Sequence, residues 1–140
     1  MAFPGLGMYN ASKWALEGMA ESLAQEMAPF NVKVTIVEPG GFETYWDNDS
    51  IEIAERLPEY LEAFGPAEKG RQLGDPERRR MAGDPRKAAR ALLAIVESDN
   101  PPLRVLWGNV AYDRATTAYV QRLAVWAEWE HLSRSTDFDE

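Results

Sequence analysis

The sequence contains no cysteine and a single histidine, His131, among its 140 residues. Without thiols there is no disulfide framework, no thiol nucleophile and no thiolate metal site, a composition compatible with a reducing compartment. One imidazole does not build the usual multi-histidine metal site, and His131 lies in the polar run His131-Leu132-Ser133-Arg134-Ser135-Thr136-Asp137, where it reads as a solvated residue. No metal is expected. Basic residues are the minority, with 15 Lys and Arg facing 23 Asp and Glu for a formal charge of -8. That balance repels phosphate backbones and anionic lipid, so neither nucleic acid nor a membrane is an expected partner. Nor is there an apolar run near the roughly 18 residues of a membrane span, or a basic-then-apolar amino terminus of the secretory kind. The expected location is cytoplasmic.

What the chain does have is material for a core. Hydrophobic residues make up 45% of it, five of them Trp, in a length suited to one domain. From Tyr9 to Met27 the apolar residues Leu16, Met19, Ala20, Leu23 and Met27 recur at helical spacing, and Pro29 stops the pattern. The β-branched run Val32-Lys33-Val34-Thr35-Ile36-Val37 then reads as a buried strand closed by a sharp Pro39-Gly40-Gly41 turn. Residues 42–83 are irregular, with Pro58, Pro66 and Pro76 and an apolar, acidic stretch from Ile51 to Phe64 that suits one or two short helices. Asp84-Pro85 is a helix start, since the aspartate can accept orphan backbone amides and proline fits the first helical position. Ala88, Ala89, Leu92, Leu93 and Val96 are expected on one face of that helix, and Pro101-Pro102 ends it. Leu103 to Trp107 reads as a second strand, Gly108 leads into a helix from Val110 to Leu132, and the tail from Ser133 to Glu140 reads as mobile. Strand, helical connection, strand is the pattern of a parallel crossover, so the expected class is α/β.

Tyr9 and Lys13 are the residues with a chemical reading. A spacing of four on a helix puts both on one face, one turn apart. An isolated phenol gives up its proton only near pH ~10, and an adjacent ammonium favours the phenolate, so the pair makes a tunable acid and base. Chance supplies some Tyr-x-x-x-Lys pair at roughly one in seven in such a chain, so the spacing needs its context.

The context is specific. The stretch Phe3-Pro4-Gly5-Leu6-Gly7-Met8-Tyr9-Asn10-Ala11-Ser12-Lys13-Trp14-Ala15-Leu16-Glu17-Gly18 closely resembles the active-site helix of short-chain dehydrogenases/reductases. Val34-Thr35-Ile36-Val37-Glu38-Pro39-Gly40-Gly41-Phe42-Glu43-Thr44 resembles the same family's strand and Pro-Gly-x-Val/Ile-x-Thr turn, with Phe42 in place of Val or Ile. Gly83-Asp84-Pro85, Asn100-Pro101-Pro102-Leu103-Arg104 and Ser135-Thr136-Asp137-Phe138-Asp139 extend the likeness to nearly the whole chain.

The resemblance implies the carboxy-terminal part of a Rossmann-like doubly wound parallel sheet, two strands with flanking helices, forming one partial domain over residues 1–140. It implies an NAD(P)-dependent oxidoreductase that interconverts an alcohol and a carbonyl compound, with Tyr9 as proton donor and Lys13 assisting it and binding the nicotinamide ribose. Pro39 and Gly40 would let backbone approach NAD or NADP, the Phe42 amide would meet the carboxamide, and the Thr44 hydroxyl would bond the carboxamide or pyrophosphate. Tyr45, Trp46, Ile51, Leu57, Tyr60 and Leu61 fall in the family's substrate-covering region and are candidate pocket walls, or equally packing residues. A homo-oligomer through the Tyr9-bearing helix is also implied. Asp47, Asp49, Glu52 and Glu55 lack the spacing of a calcium loop and read as a solvated acidic face, and Arg78-Arg79-Arg80 as a short basic loop or helix face.

The family's glycine-rich phosphate loop, its Asn motif and its serine upstream of the tyrosine have no counterpart in the sequence; Gly5-Leu6-Gly7 follows no strand, and Ser12 comes after Tyr9. A truncation is therefore expected, with a sheet edge and apolar helix faces exposed. Two other readings stand beside the dehydrogenase: a nucleotide-sugar epimerase or dehydratase using the same tyrosine, and a non-catalytic remnant serving as an interaction module.

Overall fold

The computed structural model describes residues 1–44, Leu57, Glu59 and residues 81–138. Helix α1 runs over Gly7–Met27, and its interior carries neither proline nor a β-branched residue to oppose it. The chain leaves α1 through a one-turn 3-10 helix, Ala28–Phe30, with Pro29 inside it. Asn31 then adopts a left-handed φ of 57°, its amide bonding Ala28 O at 3.0 Å while the Val32 amide bonds Met27 O at 3.3 Å. Those two bonds are a Schellman closure, with asparagine taking the position glycine usually fills.

Strand β1, Ile36–Pro39, pairs in parallel with β2, Arg104–Trp107, aligning Ile36 with Arg104 and Pro39 with Trp107. Side chains alternate across a strand, so Ile36, Glu38, Arg104 and Leu106 share one face of the sheet. Between the strands lies helix α2, Pro85–Val96, where Asp84 Oδ1 accepts the Arg86 amide at 2.8 Å and Pro85 occupies the first position. After β2, Gly108 at φ 95° turns the chain into α3, Asn109–Glu128, which breaks at Trp129 before a short helix α4, Glu130–Arg134. The fold class is the expected α/β.

Several local expectations shift. The ladder begins at Ile36 rather than Val32, because β1 is only as long as its partner allows. On α1, Asn10, Glu17, Ala20, Ala24 and Met27 are the half-buried residues, while Leu16, Met19 and Leu23 face outward. On α2 the half-buried stripe is Ala88, Ala91 and Ile95, and Leu92, Leu93 and Val96 are exposed. On both helices several of the bulkier apolar residues remain uncovered. Ser133 and Arg134 belong to α4, and the Ser135 and Thr136 hydroxyls bond back to Leu132 O and Ser133 O.

Among the described residues none is buried, and Met8 and Met19 stand 87% and 71% exposed. A two-stranded sheet offers too little area to cover three helices. Among the same residues, no helix is long and apolar enough to cross a membrane.

Candidate active site

Helix α1 carries the candidate pair, Tyr9 and Lys13. The Lys13 Nζ lies over the Tyr9 ring, 5.6 Å from its centroid, within the range of a cation–π contact. Tyr9 is 49% exposed. The first turn that presents it is braced from below: Asn10 Nδ2 donates to Phe3 O at 2.9 Å, and Ser12 Oγ donates to Tyr9 O at 2.8 Å. Tyr9 and Lys13 thus meet on one face, as their spacing requires.

Pro39, Gly40, Phe42 and Thr44 follow one another at the carboxyl end of β1, the end where open parallel sheets hold ligands. The Gly40 amide donates to Trp107 O at 2.9 Å, and a Cβ on Gly40 would stand 3.2 Å from the Ala111 Cβ and 3.3 Å from Trp107 O. The turn is thus seated closely against β2 and α3, and a side chain there would need its neighbours to give by a few tenths of an ångström. Beyond it, Phe42 bridges to Gly83, the Glu43 amide donating to Gly83 O and the Gly83 amide to Gly41 O, each at 3.0 Å. That bridge uses the groups on either side of Phe42, so the Phe42 amide itself takes no part in it. The Phe42 ring meets Trp107 edge to face, with centroids 6.5 Å apart.

The two groups of residues sit on different elements, and Arg104 joins those elements. Its Nη1 pairs with Glu17 Oε2 at 2.8 Å and with Glu38 Oε1, while Nη2 pairs with Glu21 Oε1 at 2.7 Å. Burial disfavours the Arg104 charge, but hydrogen bonds to Glu17, Glu21 and Glu38 outweigh it and raise its pKa above the ordinary arginine range. A second basic residue, Arg122 of α3, lies over Trp14 at 5.7 Å and over Tyr119 at 5.3 Å, touching α1 beside Lys13. Neither arginine was singled out by the sequence reading. The available signal for Arg104 was a charge within the apolar run of β2, with Glu17 and Glu21 one turn apart on α1 and Glu38 in the other strand. Of the candidate pocket walls, Leu57 is exposed; Tyr45, Trp46, Ile51, Tyr60 and Leu61 lie outside the described residues, as do Asp47, Asp49, Glu52, Glu55 and Arg78 to Arg80.

Known proteins resemble this chain in sequence and fold. Residues 1–53 match the family profile for short chain dehydrogenase. A solved short-chain dehydrogenase from Streptomyces avermitilis superposes with a TM-score of 0.80 at 39% identity, over 99% of this chain and 49% of that one. The chain belongs to the short-chain dehydrogenase/reductase family. Its sequence is also similar to oxidoreductase BOA17 of Botryotinia fuckeliana, at 35% identity over 93% of this chain and 46% of that protein. It is 40% identical to 3-ketodihydrosphingosine reductase of Bacteroides thetaiotaomicron, over 77% of this chain and 39% of that enzyme. As a short-chain dehydrogenase it spans less than half the length of these relatives. Its α/β fold is that of the matching half of the solved one.

Proposed function

We propose that this chain is the tyrosine-bearing half of a short-chain oxidoreductase that interconverts an alcohol and a carbonyl compound with NAD or NADP. The observation that carries the reading is the Lys13 ammonium held over the exposed Tyr9 ring on one helical face. In the reducing direction the Tyr9 hydroxyl gives its proton to the carbonyl oxygen, and in the oxidising direction the phenolate takes the proton of the alcohol. Lys13, whose ammonium stands beside that phenol, would donate to the nicotinamide ribose. The residues fit the nicotinamide end of the cofactor: an ammonium donor, a backbone turn at the sheet's carboxyl end, and a Phe42 amide outside the bridge to Gly83. Pro39 and Gly40 would give close backbone approach there, the Phe42 amide would bond the carboxamide, and the Thr44 hydroxyl the carboxamide or pyrophosphate. NAD or NADP, when bound, accepts or supplies the hydride.

Residues 1–140 act in this reading as one partial domain, and the glycine-rich phosphate loop that they lack comes from a complementary half. The uncovered apolar residues of α1 and α2 support that arrangement, as does the 49% coverage of the solved relative. A small-molecule substrate, a cytoplasmic location and a homo-oligomer docked through α1 complete the proposal. The exposed Met8, Leu16, Met19 and Leu23 also favour a second reading, a non-catalytic module that offers α1 to another chain.

Steady-state kinetics with calorimetric cofactor titration separate the two in the protein that carries these residues. Tyr9→Phe is expected to lower turnover by about 10²–10⁴-fold, the usual contribution of a positioned acid, while the cofactor still binds. Undiminished turnover overturns the assignment, and a protein without nucleotide affinity supports the module.

A further inference from the structure

Tyr9, Lys13, Glu17 and Glu21 form a single i, i+4 row along α1. The proposed proton-transfer pair occupies one end of the row, and Arg104 holds the other end through both carboxylates. The same guanidinium holds Glu38, the residue immediately before Pro39 and the turn. One planar fork therefore grips the helix at two successive turns and the strand at the point where it leaves the sheet.

We propose that Arg104 is a positioning residue of the reaction, fixing the rotation and height of α1 against β1 and so the stance of Tyr9 and Lys13 toward the Pro39–Thr44 turn. The proposal rests on the function given above. A rotation of α1 by one residue, about 100°, would carry Glu17 and Glu21 off the guanidinium and swing Tyr9 and Lys13 with them. Three carboxylates converge on this single cation. Removing it does more than delete an attraction, because it leaves like charges on α1 and β1 that push the two elements apart. Lysine is a poor replacement: its ammonium is a point charge, without the fork that reaches Glu17 and Glu21 through different nitrogens.

The test compares Arg104→Met and Arg104→Lys in the protein that carries this chain, reading kcat per folded molecule, the calorimetric Kd for NAD(P) and Tm. Positioning predicts that Arg104→Met lowers kcat about tenfold to a hundredfold, as a small misplacement of reacting groups does, and weakens cofactor binding. Arg104→Lys should recover most of the lost Tm but only part of kcat. In a Lys13→Met background, Arg104→Met should cost much less in kcat than it does alone, because the pair it positions is already broken. If Arg104→Met proves too unstable, Glu17→Gln carries the test, and it should lower kcat more than Glu26→Gln does. A loss of Tm with kcat and Kd unchanged, full recovery of kcat by lysine, or penalties that multiply with Lys13→Met would each overturn the proposal. If Tyr9→Phe abolishes turnover and Arg104→Met leaves it intact, only the positioning role falls. Undiminished turnover in Tyr9→Phe removes the assigned reaction and this proposal together.

Discussion

Lys13 stands over the Tyr9 ring at 5.6 Å, which makes the charge of one residue part of the other's surroundings. The contact follows from i, i+4 spacing on a helix and needs no long-range packing to form. The proposed proton-transfer pair is thus a local feature of α1, while its alignment with the turn after β1 depends on tertiary bonds.

Lys13 should be more costly to lose than a remote surface charge. Lys13→Ala is expected to damage both turnover and cofactor affinity, because in the proposed reaction one ammonium stands beside the proton donor and would donate to the ribose. Lys13→Arg keeps the charge but not the compact donor, and should bind cofactor better than the alanine variant while remaining slow. Cofactor titration alongside steady-state kinetics checks both. An alanine variant with native cofactor affinity would remove the ribose role.

Gly83 should be intolerant of any side chain. A Cβ there would stand 2.6 Å from Phe42 ring atoms and 2.8 Å from Gly41 O. Gly83→Ala must therefore displace the turn, at about 1–3 kcal/mol for an overpacked site, and should weaken cofactor binding along with stability. Adding Phe42→Ala relieves only part of the clash, since the Gly41 carbonyl remains. Thermal unfolding and cofactor titration of the single and double variants test this.

The cap of α2 gives a prediction confined to stability. Asp84→Ala removes the acceptor of the Arg86 amide and should cost about 1 kcal/mol, with Asp84→Asn nearly neutral. Denaturant unfolding reads the difference, and kcat should not change.

The same residues show what was legible beforehand. Asp84-Pro85 caps and opens α2 and Pro29 follows the end of α1 as their local chemistry predicts, and Tyr9 and Lys13 share one helical face as their spacing requires. The Val32 to Thr35 part of the expected strand lies outside the ladder because its length is set by β2, a partner nearly seventy residues away. The inward faces of α1 and α2 depend likewise on what each helix docks against. Of the expected face Ala88, Ala89, Leu92, Leu93 and Val96, only Ala88 is half-buried, and Ala91 and Ile95 join it. Arg104 escaped notice because its meaning lies in three acids drawn from two other elements. Helix α3 breaks at Trp129 without a proline or glycine to announce it.

Arg104 yields a prediction about pH. Its pKa is raised in the folded chain, with burial opposing the shift and bonds to Glu17, Glu21 and Glu38 outweighing it. A raised basic group contributes stability in full below its unfolded pKa, and loses it only as pH climbs through the higher folded value. Both limits lie above the range in which Lys and Tyr titrate, near ~10 to ~10.4. The Tm penalty of Arg104→Met should therefore stay constant from about pH 7 to about pH 10, whereas that of a pair built on lysine would begin to fade at the upper end. Thermal melts of the native protein and of Arg104→Met across that range measure the difference directly. A penalty that shrinks as the solution becomes alkaline would mean that Arg104 is not what holds α1 to the sheet.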